Sequence, residues 1–296
     1  MGPKAFWRAL KRFQTQQMTD AAAALTYYAL MSMLPLLLVA TSLFSLVGDK
    51  TAVTDFVEYI ADRGADPTTQ AAVSDLMTKI VESSGGAVSF ALAISIVLAM
   101  NSASGAFGAA GRALNRVEEL DEDRSFVRRR ATDIAIAVAV ALLLVVVIAA
   151  VFLGGGLAHD LFGYIGLGDA AADVWSIARW PVAILAAMIA YALIYSYAPD
   201  RDPMKLRLLT PGTVSGVLIW IIASAGFGVY LQNFSSYGAA YGTFGATIVL
   251  LLWLWLSACA FLLGAQIDYA IDHPDDPGND PNNFRNGSPL KREKLP

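Results

Sequence analysis

The side chains that could do chemistry are sparse, and almost none is ionisable where the chain is most apolar. Six long apolar runs follow one another, and no Asp, Glu, Lys, Arg or His falls inside the core of any of them. Their polar groups are uncharged. Tyr27, Tyr28 and Ser32 lie in the first run, with Pro35 beyond them, and Asn101, Ser102 and Ser104 lie in the second. Such hydroxyls and amides can line a path for a neutral or amphiphilic solute. They can equally tie one helix to another, at about 0.6–2 kcal/mol per bond in lipid, and both readings fit. Asn101 is the sharpest of the set, because a buried amide wants partners and the glycine-rich stretch around it could unwind. Pro35 removes one ladder hydrogen bond and predicts a kink. The Ser32 hydroxyl, one turn earlier, could satisfy a freed carbonyl.

Ionisable groups gather at the ends of the runs. Asp20, Arg112, Arg116, Asp133 and Asp268 form a candidate charged rim, or serve as interface anchors that pair loosely or snorkel. A charge at the bilayer centre costs at least about 2.5–3.5 kcal/mol and usually marks an ion path or proton relay, so its absence argues against a pump with a midplane carboxylate. Enzyme chemistry finds little support. Ser32 and Ser104 are hydroxyl nucleophiles with no His or Lys at depth to activate them. The single cysteine, Cys259, lies inside an apolar run and reads as a small packing residue. No cofactor or metal site is expected, and no phosphate-binding G-x-x-x-x-G-K-[ST] motif occurs.

The elements that position these groups follow from composition. The chain has 296 residues, 56% hydrophobic and 16% charged, with a mean hydropathy of +0.53. A helix crosses hydrocarbon with about 20 apolar residues. The expected fold is therefore an all-α membrane protein with six transmembrane helices, over about 21–47, 86–110, 134–153, 180–198, 210–231 and 242–265. The first run is far longer than a signal-peptide core, so it is expected to remain as a span. Residues 1–20 form a basic amphipathic segment with Phe6, Leu10 and Phe13 at helical spacing. It reads as a helix on the membrane surface or as a plain topogenic tail. Val53, Phe56, Val57 and Ile60 make one apolar stripe; Val73, Leu76, Met77 and Ile80 make another. With Pro67 between them they predict an amphipathic helical hairpin between the first two spans.

Basic loops are expected at 112–130 and 201–207, and an uncharged loop around 232–242. Pro181 is placed near the start of the fourth span, and Thr210-Pro211 is a helix-start signal. The pairs Gly212/Gly216 and Gly238/Gly242 have the small-xxx-small spacing of helix contacts. The tail 271–296 is rich in Pro, Asn and Asp and is expected to be disordered. All Lys and Arg residues except Lys50, Arg63, Lys79 and Arg179 fall on one side of this arrangement. The positive-inside rule then places both termini in the cytoplasm and the hairpin outside.

Several stretches resemble the YihY family, also called the virulence factor BrkB family. They are AAALTYYALMSMLP from Ala22, NSASGAFGAAGRALNRVEE from Asn101, PGTVSGVLIW from Pro211 and YGAAYGTFGATIVLLLWLWLSACAFLLGAQID from Tyr237. They occur in the family's order over about residues 15–270. The resemblance implies a six-span protein of the bacterial inner membrane and supplies no catalytic or binding residue. Where the family usually has an acidic residue after LLGA, this chain has Gln266. Asp268 lies about 200° further round a helix and cannot replace it on the same face. Members of the family have been labelled ribonuclease BN. The sequence argues against that activity, because a metal-dependent nuclease needs clustered ligands and the expected topology puts His159 and His273 on opposite sides of the membrane.

The leading expectation is a transporter or flippase-like protein for a lipid or small amphiphile. The alternative is an envelope-assembly scaffold that docks partners through the hairpin and the 112–130 loop. Expected partners are membrane lipids, with an envelope protein or a second copy of the chain as further candidates, and no nucleic acid.

Overall fold

Hydrocarbon offers no hydrogen bonds, so a chain this apolar satisfies its backbone within helices. Among the described residues, the computed structural model contains helices and no strand. It describes residues 3–47, 86–152, 162–164, 168–202, 204–233 and 235–274, with scattered residues between 53 and 78. The long helices are α1 (Pro3–Thr15), α2 (Met18–Val47), α3 (Gly86–Glu118), α4 (Phe126–Phe152), α5 (Gly168–Tyr197), α6 (Pro211–Asn233) and α7 (Ser235–Asp272). Four stretches are long and apolar enough to cross a membrane: Phe126–Val147, Gly168–Tyr197, Pro211–Leu231 and Thr247–Asp272. The first two expected spans fall within α2 and α3, of 30 and 33 residues. Most of the expected hairpin, the tail beyond residue 274 and His159 lie outside the described residues.

Helices run further than hydropathy alone suggests. The expected 112–130 loop shrinks to residues 119–125, because Arg112 and Arg116 belong to the last turns of α3 and Arg128 to Arg130 to the first turns of α4. The expected loop before the fourth span is helical from Gly168, which puts Pro181 well inside α5 rather than near its start. Similarly, α7 begins at Ser235, so most of the expected 232–242 loop is helix. The glycine-rich stretch after Asn101 stays helical. Polar residues end a hydrophobic run without ending a helix, since the backbone bonds continue into the headgroup region.

The connections have local causes. Thr210 caps α6, its Oγ1 accepting the Thr213 N–H at 3.0 Å, and Pro211 takes the first helical position. Gln17 bends the chain between α1 and α2 with a φ of 54°. Glu119 does the same after α3 with a φ of 55°. There the Leu120 N–H reaches Asn115 O at 2.8 Å and the Glu119 N–H reaches Arg116 O at 3.3 Å. These are the paired bonds of a Schellman cap.

The chain divides into two compact units: Met1–Tyr27 with Phe107–Pro296, and Tyr28–Ala106. In the first, α6 lies antiparallel to α7, α4 packs on α5, α5 on α6, and α1 on α7. Its core joins Phe13, Met18, Leu114, Ile136, Tyr195 and Leu262 with many alanines. Small residues dominate because, in lipid, close backbone approach and interhelical hydrogen bonds replace the hydrophobic drive. Gly212, Gly216 and Gly264 set the tightest crossing. A β-carbon at Gly264 would lie 2.7 Å from Gly212 O and 2.8 Å from Gly216 Cα. The Trp220 indole donates to Ser257 Oγ at 3.0 Å, and the Trp253 indole donates back to Ser224 Oγ at 3.3 Å. Large apolar side chains such as Leu142, Val145, Leu185, Ile222 and Ile248 face outward, as they must when the surroundings are hydrocarbon. In the second unit, the Tyr28 ring of α2 packs against Gly105 of α3.

Candidate functional site

The uncharged candidates are only partly assembled. Tyr28 and Ser102 are half-buried, and the Tyr28–Gly105 contact brings the first turns of the α2 row beside the polar stretch of α3. Ser104 is fully buried and donates to Asn101 O at 2.9 Å. Ser32, half-buried, donates to Ala29 O at 2.7 Å, not to the Met31 carbonyl that Pro35 frees. The bond settles one turn too early because a serine χ1 reaches back only three or four residues. Pro35 is half-buried within a continuous α2. Asn101 is exposed, contrary to the expectation of a buried amide, and Tyr27 is exposed as well.

The charged candidates divide in the same way. Asp20, Arg112 and Arg116 are exposed, whereas Asp133 and Asp268 are buried. Asp133 lies against α3, so close that a β-carbon at Gly108 would come within 2.9 Å of its Oδ2. Asp268 does not anchor a rim but closes the start of α6. Its Oδ1 accepts the Gly212 N–H at 2.6 Å and its Oδ2 accepts the Thr210 hydroxyl. A carboxylate there meets the orphan N–H groups and positive end of the helix.

The best-ordered polar cluster centres on Arg12, which sequence reasoning placed on a surface helix. It is instead 2% exposed. The inward face of α1 is Ala5, Ala9, Arg12 and Phe13, while Phe6 and Trp7 point out. The Arg12 guanidinium meets Glu119 Oε1 at 3.1 Å, donates to Val117 O at 3.0 Å and to Gln266 Oε1 at 3.2 Å, and lies 3.9 Å from the Tyr269 ring centre. Gln266 completes the set by donating to Gln16 Oε1 at 2.6 Å. Gln266 thus serves α1 and Asp268 serves α6, on different sides of α7. Arg8, one turn before Arg12, donates to Ala270 O at 3.2 Å and to Pro274 O at 2.8 Å. The carbonyl end of α7 attracts a cation there.

A second cluster ties the 119–125 connector to the end of α5. Arg124 reaches Glu122 at 2.7 Å, Asp200 at 3.4 Å and Ala198 O at 2.9 Å. Asn115 donates to Glu122 at 3.1 Å and accepts the Asp200 N–H at 2.7 Å. Arg201 pairs with Glu118. The hydrogen bond from Arg124, with its charge and the Asn115 amide, holds the Glu122 carboxyl below the usual range, and Glu122 in turn raises Arg124. A pocket of about 410 Å³ opens beside the cluster, lined by Asp121, Asp123, Arg124, Arg128, Asp200 and Asp202 among others. Sequence reasoning missed both clusters because their partners are distant in sequence. The available signal was the density of paired charges in RVEELDEDR and PDR, read as loop composition.

Apolar helices of spanning length, with charge held at their ends, define a helical integral membrane protein. The family model described as Virulence factor BrkB matches residues 9–286, and the chain belongs to that family. A Bacillus subtilis protein carrying the name ribonuclease-like protein YfkH is 29% identical over 87% of this chain and 91% of its own length. A UPF0761 membrane protein of Alteromonas mediterranea is 26% identical over 88% of this chain and 85% of its own. A UPF0761 membrane protein of Xanthomonas oryzae is 40% identical, over 30% of this chain and 21% of its own. No solved structure matches.

Proposed function

We propose that this BrkB-family membrane protein moves a lipid or small amphiphile across the bacterial cytoplasmic membrane, with six spans and both termini in the cytoplasm. The observation that supports this most is the packing of Tyr28 on Gly105, which makes the α2 hydroxyl row and the small polar stretch of α3 neighbours. Such a wall offers hydrogen bonds without fixed charge, which suits neutral or amphiphilic cargo and avoids the cost of a charge at depth. The ribonuclease-like name of the Bacillus relative does not carry over in this reading. The described spans hold no His or Lys to activate a nucleophile or bind a metal. The test is reconstitution into liposomes with fluorescent lipids and amphiphiles. Movement that slows in Ser102→Val and Tyr28→Ala variants supports the proposal. A folded protein that moves neither lipid nor amphiphile overturns it in favour of an envelope scaffold.

A further inference from the structure

The pocket beside Arg124 carries an uneven set of charges once its internal pairs are removed. Arg124 is committed to Glu122, Asp200 and the Ala198 carbonyl, Arg201 to Glu118, and Glu119 to Arg12. Among the described residues, the carboxylates of Asp121, Asp123 and Asp202 and the guanidinium of Arg128 remain without a side-chain partner, and all four residues are exposed. The pocket's volume of about 410 Å³ lies in the range of small-ligand sites, about 300–1,000 Å³. Three carboxylates facing one arginine suit neither a simple anion nor a neutral solute. They suit an ammonium group, held by charge-assisted hydrogen bonds, with an anionic group attached that Arg128 can receive.

Depth selects the same kind of molecule. The pocket is built from the connectors that precede two candidate spans, α4 and α6. Phe126 and Val127, at the start of α4, are 73% and 75% exposed, and Leu209, just before α6, is 72% exposed. Apolar side chains this open beside charged ones belong at the boundary between headgroups and hydrocarbon. We propose that the pocket binds an amine-bearing zwitterion of the phosphoethanolamine type, its ammonium on Asp121, Asp123 and Asp202 and its phosphate on Arg128. The proposal rests on the transport reading only for its biological purpose, since it names the headgroup such a protein would take.

Binding is measured without transport. The full-length protein is placed in nanodiscs of equal phosphatidylethanolamine and phosphatidylglycerol, released gently, and its retained lipids are counted by native mass spectrometry. The expected result is preferential retention of phosphatidylethanolamine. The Asp121→Asn, Asp202→Asn double variant should reduce that preference about tenfold, and Arg128→Gln should reduce it by a smaller factor. These side chains are exposed, so unchanged thermal unfolding confirms that the variants fold. Free phosphoethanolamine then separates the sources: displacement of the lipid shows that the headgroup alone is recognised, and retention against millimolar competitor shows that the acyl chains are needed too. Equal retention of both lipids without saturable phosphoethanolamine binding, or a preference that survives the double variant, overturns the proposal. Selective binding with no flux in liposomes overturns the transport reading and leaves the pocket assignment standing.

Discussion

At the scale of single residues, Arg12 is the most consequential side chain. Removing one partner of a buried charged cluster leaves the rest unsatisfied, which is more costly than the cluster is stabilising. Arg12→Met is expected to lower stability by about 2–4 kcal/mol in detergent unfolding measurements. Arg12→Lys should recover only part of this, since a point charge cannot reach Glu119, Gln266 and Val117 O together. Glu119 gives a sign test. Its left-handed backbone costs roughly 1–2 kcal/mol that glycine would avoid, but its carboxylate pairs with Arg12 at 3.1 Å. Glu119→Gly should therefore be near neutral or destabilising alone, and stabilising by about 1 kcal/mol once Arg12 is Met.

Glu122 predicts the acid response. Its carboxyl is held below the ordinary value chiefly by the hydrogen bond from Arg124. A carboxylate depressed by folding contributes stability above its unfolded pKa of about 4.3, and the contribution disappears as pH falls through the lower folded value. The 119–125 connector should stay docked at pH 5 and loosen only below about pH 4. Amide exchange at Asp200, whose N–H is bonded to Asn115, would report it. The Glu122→Gln variant should show the loosened exchange already at pH 7.

At the scale of elements, the α6–α7 crossing is decided by the absence of side chains. Gly264→Ala would place a β-carbon 2.5 Å from Tyr195 Oη and against the α6 backbone, so α7 must move away from both neighbours. A loss of about 1–3 kcal/mol is expected, as for other overpacked interiors. Gly228→Ala is the control. It lies in α6 with open space around it, and gaining a helix-favouring residue there should be neutral or stabilising by up to about 1 kcal/mol. Equal effects in thermal unfolding would show that the crossing is not where the packing is tight.

At the scale of the whole molecule, the arrangement of spans carries the prediction. In a Cys259→Ser background, Tyr164→Cys should react with a membrane-impermeant maleimide on intact cells, since Tyr164 is 91% exposed on the side assigned outside. Asp121→Cys should react only after permeabilisation. The reverse pattern would invert the proposed topology.

Much of the fold was legible because crossing hydrocarbon is a local demand. About 20 apolar residues without charge must be helix, and Thr210-Pro211 announces its own cap. Helix ends were less legible. Arg112, Arg116 and Arg128 look like loop in a hydropathy profile yet continue helices, because water and headgroups tolerate a polar helix as readily as a loop. The site was the least legible part. Asn101 looked like a buried amide and is exposed, since rotation about a helix axis is set by neighbours and not by the residue itself.

By itself, then, the sequence determined that this is a helical membrane protein of the BrkB family, with polar groups at depth uncharged and charges gathered at the helix ends. Only the tertiary structure decided which of those charges are buried and what they hold. Arg12 meets Gln266 across 254 residues and Val117 across 105. Asp268 closes α6 while Gln266, two residues earlier, receives α1. Hydrophobic length is a property of each segment alone, but a buried guanidinium or carboxylate is tolerated only where several distant segments bring it partners, and that is a property of the assembled fold.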